Sequence, residues 1–235
     1  MSLWSLCINL QGPMQSWGID SKLSLRSTST MPSRSGIIGL LASSMGIERE
    51  DEESLAQLNK LRINTISLKN IDYVEKDYQT IEGVLDVSGK IKTDMDLSTR
   101  YYITNSFYIA VIEGEKDALE KIMHALKYPK WLVFLGRKSC PSASPFLIGE
   151  SLKEGSFEEL FSEKGTYRCF KELSSQMQVN NYIVRSDFDF PISFNTRKFE
   201  KRTYVEDWVD ISKIKDAINP IFEYYKDVSK YDKFY

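Results

Sequence analysis

Apolar and polar side chains alternate near the start of the chain, with Leu6, Ile8 and Leu10 separated by Ser5, Cys7 and Asn9. This period of two predicts a strand and not the unbroken apolar run of a signal peptide. The following LQGPMQSWG (10–18) holds two glycines and a proline, which forbid regular structure, and KLSLRSTST (22–30) reads as a polar loop or ragged strand. Ser33 or Ser35 is placed to cap a helix through Ile37, Ile38, Leu40, Leu41 and Met45, and Gly46 is placed to end it. The acidic run at 48–53 opens a second short helix with Leu55 and Leu58 inward; it reads as a solvated face. Strand signals follow at 62–68 and 102–112. Between them, GVLDVSGKIKTDMDLST (83–99) centres on Ser88-Gly89, the tip of a projecting hairpin. From Lys116 to Lys127 one helical face carries Leu119, Ile122, Met123 and Leu126 and the other Glu120, His124 and Lys127, so His124 is predicted to face solvent. Residues 131–149 read as a strand, a glycine loop and a second strand.

This order predicts an α+β chain: a ferredoxin-like β-α-β-β-α-β domain over 1–150, with a hairpin thumb at about 80–100. A smaller, irregular, β-rich region at 151–235 would follow, ending in a helix at 210–227 that Pro220 interrupts. A length of 235 residues suits one large domain or one with an appendage. The longest apolar stretch, GIIGLLA at 36–42, falls far short of the ~20 residues of a membrane helix, so a cytoplasmic protein with no membrane partner is expected. Cys7, Cys140 and Cys169 form no C-x-x-C pair, as expected of a reduced compartment, and His124 is the only histidine. No metal and no cofactor is predicted.

Charge changes this picture from a fold to a candidate binder. The formal charge of −2 rules out attraction of nucleic acid or membrane through bulk charge. Three windows each carry +3, however: Lys22, Arg26 and Arg34; Lys130, Arg137 and Lys138; and Arg197, Lys198, Lys201 and Arg202 against Glu200. These nine positive charges leave −11 for the rest of the chain, which points to a focused polyanion site. Glycine and serine beside the bases matter because exposed backbone N–H groups bind phosphate oxygens. SRSGIIG (33–39) offers Arg34 and Ser35, and LGRKSCP (135–141) offers Gly136, Arg137, Lys138 and Ser139. The second of these resembles the end of a Walker A motif but lacks its upstream glycine and spacing, so an NTPase is rejected; a plain β-turn is the bland alternative. Met14 and Trp17 either form a stacking platform for unstacked bases or, for Trp17, a lid on the core. The aromatic signature of an RRM is missing, so RNA would be held by loops.

Catalytic chemistry is thinly provided. Metal-free RNA cleavage calls for acid–base groups near neutrality, and the one histidine is predicted exposed on a helix. Cys140, beside Lys138 but with no histidine partner, reads as a buried free thiol.

Five collinear segments, LQGPMQSWG (10–18), MPSRSGIIGLLASSMGIER (31–49), DYQT (77–80), TRYYITNSFYIAV (99–111) and LGRKSCP (135–141), closely resemble the fifth family of CRISPR-associated proteins, the CasD-type subunits of type I-E Cascade complexes. RKFEKRTYVEDWVDIS (197–212) resembles that family's last segment, and 213–235 looks like an extension beyond it. The resemblance implies a RAMP fold that holds the 5′ handle of CRISPR RNA. It also implies a thumb between Thr80 and Arg100 directed at the adjoining backbone subunit, other Cascade subunits (large and small) as partners, and target DNA met indirectly. Type I-E members are non-catalytic; type I-C relatives cut the precursor RNA, which makes an endoribonuclease the alternative. Gln79 stands where the family's DYHT has histidine. The expected contacts are Gln11, Met14, Gln15 and Trp17 to bases and sugars, and Arg26, Arg34, Ser35, Gly136, Arg137, Lys138 and Ser139 to phosphates. Arg100 and Tyr101 would sit at the hairpin base.

Overall fold

In the computed structural model the described residues are 3–19, 24–69, 73–86, 88–91, 94–173 and 182–220. Their elements, in chain order, are β1 (Trp4–Gln11), β2 (Met14–Gln15), β3 (Leu25–Arg26), α1 (Arg34–Met45), α2 (Glu52–Leu58), β4 (Arg62–Lys69), β5 (Val74–Ile81), β6 (Asp96–Thr104) and β7 (Phe107–Gly114). Then come α3 (Lys116–Lys127), β8 (Leu152–Glu154), α4 (Phe157–Leu160), β9 (Tyr167–Glu172), β10 (Ile183–Ser193), β11 (Lys198–Val209) and a 3-10 helix (Ser212–Ala217).

The alternation in β1 is real, but both of its faces are buried. Leu6, Ile8 and Leu10 join the core under α1 and α3, while Cys7 joins a second cluster with Phe157, Ile211 and Ile214. The polar members of that second face are paired: Ser5 Oγ donates to Gly155 O at 2.8 Å and Asn9 Nδ2 to Ala217 O at 2.9 Å. A buried amide that keeps its hydrogen bonds is tolerated in a core.

All strands of the large sheet pair antiparallel, in the order β10-β11-β9-β4-β7-β1-β8. Its β8-β1-β7-β4 part, with α1 and α3 as connections, carries the β-α-β-β-α-β order, and β9 to β11 extend the same sheet. The second sheet has β6 at its centre, with β5 on one edge and β2 and the parallel β3 on the other. Because β6 turns into β7 through Asn105, held at φ 49, the hairpin is rooted directly in the core sheet.

Several boundaries differ from those expected. The hairpin strands run from 74 to 81 and from 96 to 104, so the arm is longer than 80–100. Its tip is the Ser88-Gly89 turn, with Gly89 at φ 80 and Asp86 Oδ1 accepting from Ser88 N at 2.8 Å and Lys90 N at 2.9 Å. Ser33, not Ser35, is the cap of α1, accepting from Gly36 N at 3.3 Å. Residues 131–149 contain only a bridge between Phe134 and Pro141; the edge strand is β8, at 152–154. The prolines at 141 and 145 have no N–H to give a ladder, and the segment instead straps onto the end of β1, Ala143 N donating to Gln11 O at 2.8 Å. The helix expected from 210 is a short 3-10 helix at 212–217 with Ile214 and Ala217 buried; 221–227 lie outside the described residues. Helix α3 buries Leu119, Ile122 and Leu126 and leaves His124 exposed, as its periodicity predicts. Among the described residues no helix is long and apolar enough to cross a membrane.

Candidate nucleic-acid interface

Four segments far apart in sequence meet beside the root of the hairpin: 14–17, 25–29, 100–102 and the GRKS turn at 136–139. Gly136 makes the meeting possible. Its φ is 91, and a Cβ placed there would lie 1.8 Å from Ser16 O, so only glycine lets the two loops touch. Ser16 N donates to Leu135 O at 3.1 Å and Ser16 Oγ to Tyr101 O at 3.2 Å. The turn itself is closed by Leu135 N to Cys140 O at 2.7 Å and Cys140 N to Arg137 O at 2.9 Å.

Arg137 stitches the cluster together. Its guanidinium lies 5.0 Å from the Tyr102 ring centroid and donates to Arg26 O at 2.9 Å and Tyr101 O at 3.3 Å. Ser139 Oγ reaches the Tyr102 hydroxyl at 3.4 Å. Arg26, Gly136, Lys138 and Ser139 are exposed and Arg137 and Tyr101 half-buried, so three cations and an exposed glycine share one rim. Behind it Cys140 is fully buried and burial pushes its thiol pKa up, which keeps it protonated and inert, as expected. The acidic run follows Gly46, past the C-terminal end of α1, whereas Arg34 opens that helix.

Other expected contacts are corrected. Trp17 is 0% exposed and packs on α1, so its ring offers no face to a base; the lid on the core is the reading that holds. Gln15 is also buried, spending its amide on Leu10 O, Ser106 O and Trp17 Nε1. Arg34 is 1% exposed: Nη1 meets both oxygens of Glu172 at 2.6 and 2.7 Å, and Nη2 donates to Leu61 O at 2.9 Å and Asn59 O at 3.0 Å. No phosphate reaches it. Arg202 is likewise taken up by Asp189, at 2.8 Å, and Lys130 lies against Gly46 at the end of α1. Only Arg26 of the first window and Arg137 and Lys138 of the second therefore come together, because a count of charge along the chain does not see the partners that hold Arg34 and Arg202. Lys22 lies outside the described residues. Met14 and Ser35 are half-buried, Met14 against the core. Gln11 is half-buried, its Oε1 held by Asn219 Nδ2 at 2.7 Å, and borders a separate depression with Gly12 and Asn105. Arg100 lies opposite Asp77 in the β5–β6 register and keeps a buried Nε with no hydrogen-bond partner.

Sequence reasoning missed an open cleft of about 300 Å³ next to the rim, walled by Ser27, Thr28, Arg168, Arg185, Asp187 and Tyr204. Its residues come from the 27–30 segment and from three separate strands and share no motif; 197–212 resembles a family segment, yet nothing there marks Tyr204 as a cleft residue.

The chain matches the family of CRISPR-associated protein (Cas_Cas5) over residues 5–205. It is 29% identical over 156 residues to the CRISPR system Cascade subunit CasD of Escherichia coli (strain K12), a match spanning 61% of this chain and 70% of that one. A chain of a CRISPR RNA-guided surveillance complex shares the fold with a TM-score of 0.74 at 21% identity, over 97% of this chain and 99% of that chain. The crystal structure of a Cas protein aligns with a TM-score of 0.65 at 28% identity, over 91% of this chain and 98% of that one.

Proposed function

The chain belongs to the Cas5 family of CRISPR-associated proteins, and on that premise we propose that it is a non-catalytic RNA-binding subunit of a type I-E Cascade complex. It holds the 5′ handle of the CRISPR RNA on the rim formed by Arg26, Arg137 and Lys138. The observation that carries this reading is the contact of Gly136 with Ser16, which presents those cations and the N–H groups of a tight turn on one edge. The β8-β1-β7-β4 core, read as ferredoxin-like, supplies the rigid support behind the rim.

The hairpin supports the second half of the reading. Tyr78, Ile81, Leu85, Ile91, Met95 and Leu97 are each at least 41% exposed, an apolar surface on a projecting arm that fits a protein neighbour, which we take to be the adjacent backbone subunit. Large and small subunits and, through the RNA, target DNA complete the partners.

Lys138 is exposed and free of the stitching that occupies Arg137, so it separates binding from folding. Lys138→Ala should leave the unfolding transition in place and lower the salt slope of handle binding by ~0.7 for the lost phosphate contact. Fluorescence anisotropy across a salt series measures this, and an unchanged slope removes Lys138 from the site. Arg137→Ala should weaken binding further, because it also frees the 25–29 segment.

Turnover is tested apart from binding. The only histidine, His124, is on α3 beside Tyr128, with ring centroids 5.2 Å apart, and not at the rim. A labelled precursor hairpin incubated with the purified chain in EDTA should come back uncut, and site-specific cleavage would replace the present reading with that of a processing endoribonuclease.

A further inference from the structure

We propose that the cleft beside the rim receives one unstacked nucleobase of the bound strand and reads its edge. The inference rests on the reading of the chain as an RNA-binding subunit and adds a base-specific site to it. At about 300 Å³ the cleft is at the small end of ligand pockets, with room for a single base rather than a run of nucleotides. One wall is the hydroxyl-rich segment that includes Ser27 and Thr28; the other is built by Arg168 on β9, Arg185 and Asp187 on β10, and Tyr204 on β11.

Electrostatics decides what fits. Arg168 Nε meets Glu206 at 2.5 Å and Arg185 Nη2 meets the same carboxylate at 2.7 Å, while Tyr204 donates its hydroxyl to Asp187 Oδ2 at 2.5 Å. Two guanidinium groups against Glu206 and Asp187 leave no net charge. A phosphate gains little in a compensated site, whereas guanidinium donors, a carboxylate acceptor and bifunctional hydroxyls together match the mixed donor and acceptor edge of a base. Burial, then the bond to Asp187, push the Tyr204 pKa up and hold its hydroxyl as a donor to Asp187 Oδ2.

Position agrees with chemistry. The segment lining the cleft is the one whose carbonyls at Arg26 and Ser27 accept from Arg137 at 2.9 and 3.4 Å. Phosphates held on the rim would therefore leave a neighbouring base at the cleft mouth, and single-stranded RNA is recognised through such splayed bases.

Oligoadenylate, oligouridylate, oligocytidylate and oligoinosinate compete for the full-length chain in an anisotropy assay, so the register of the natural strand does not matter. The wild type should prefer one of them by about tenfold, within the range of one well-made edge contact. Asp187→Ala and Arg185→Ala should each bring that preference to within about twofold without changing the salt slope. Arg185 is 46% exposed in its side chain, so its replacement leaves the fold intact even if Asp187→Ala does not. Lys138→Ala should do the reverse, weakening all four equally. A wild type without preference, or an Arg185→Ala variant that keeps it, overturns the cleft assignment and leaves the RNA-binding reading standing. Failure to bind any of the four RNAs overturns both.

Discussion

Replacing Asp189 with alanine should destabilise the fold by about 3–5 kcal/mol, the cost of leaving a buried cation without its partner. Asp189 is 0% exposed. Its Oδ1 accepts from Arg202 Nε at 2.8 Å, and its Oδ2 from Arg202 Nη2 at 2.8 Å and Arg34 N at 2.7 Å. That last bond satisfies an N–H in the first turn of α1, where a negative charge also suits the helix dipole. Arg34 and Arg202 both reach Glu172, at 2.6 and 3.6 Å, so two arginines and two carboxylates tie α1 to β9, β10 and β11. In Asp189→Ala, Arg202 would keep, of its ion pairs, only the longer one to Glu172. Urea unfolding should show a lower midpoint at unchanged slope, and removing Arg202 together with Asp189 should cost less than the sum of the two single changes. A loss below about 1 kcal/mol would put this network at the level of a surface ion pair.

That network also shows where sequence reasoning stops. The start of α1 is legible, since a serine cap precedes an apolar run and Gly46 takes the left-handed position that ends the helix, at φ 72. The role of Arg34 is not. Its partners, Asp189 and Glu172, lie 155 and 138 positions away, and nothing local distinguishes an arginine bound for the interior from one bound for a phosphate. The same holds at the rim. A glycine in GRKS marks a turn, but the oxygen that forbids a side chain there belongs to Ser16, in another loop. The pattern locates β1, β4 and α3, whereas the strand expected at 102–112 runs across the Asn105 turn and joins the end of β6 to most of β7. Periodicity does not locate β8, three residues long, or the junction of β9 to β11 with the main sheet, because pairing partners leave no local trace. Of the candidate site, the rim members, Arg26 and Gly136 to Ser139, are legible from charge next to glycine and serine. Trp17 and Gln15 differ from expectation because an irregular loop is expected at the surface, whereas this one folds inward over α1.

Trp17→Ala should likewise lower stability by about 3–5 kcal/mol, as for a fully buried aromatic side chain, and this separates a core residue from a stacking platform. The indole packs on the first turn of α1 so closely that a Cβ on Gly36 would lie 2.7 Å from Trp17 Cε3. Its Nε1 donates to Gln15 Oε1 at 2.9 Å, and its backbone N donates to Thr28 Oγ1 at 2.9 Å. Gln15 in turn bonds Leu10 O at 3.1 Å and Ser106 O at 2.9 Å, where β1 ends and β7 is about to begin. Loss of the indole thus opens a cavity and loosens the support of both rim loops. Trp17→Phe keeps most of the volume but orphans the buried Gln15 oxygen, so it should cost about 1–3 kcal/mol. A base-stacking tryptophan would behave in the opposite way: its removal would weaken RNA binding by about 1–3 kcal/mol per base and leave the urea midpoint unmoved. An unmoved midpoint with weakened binding would return Trp17 to the RNA surface and take with it the packing of the 10–18 loop against α1.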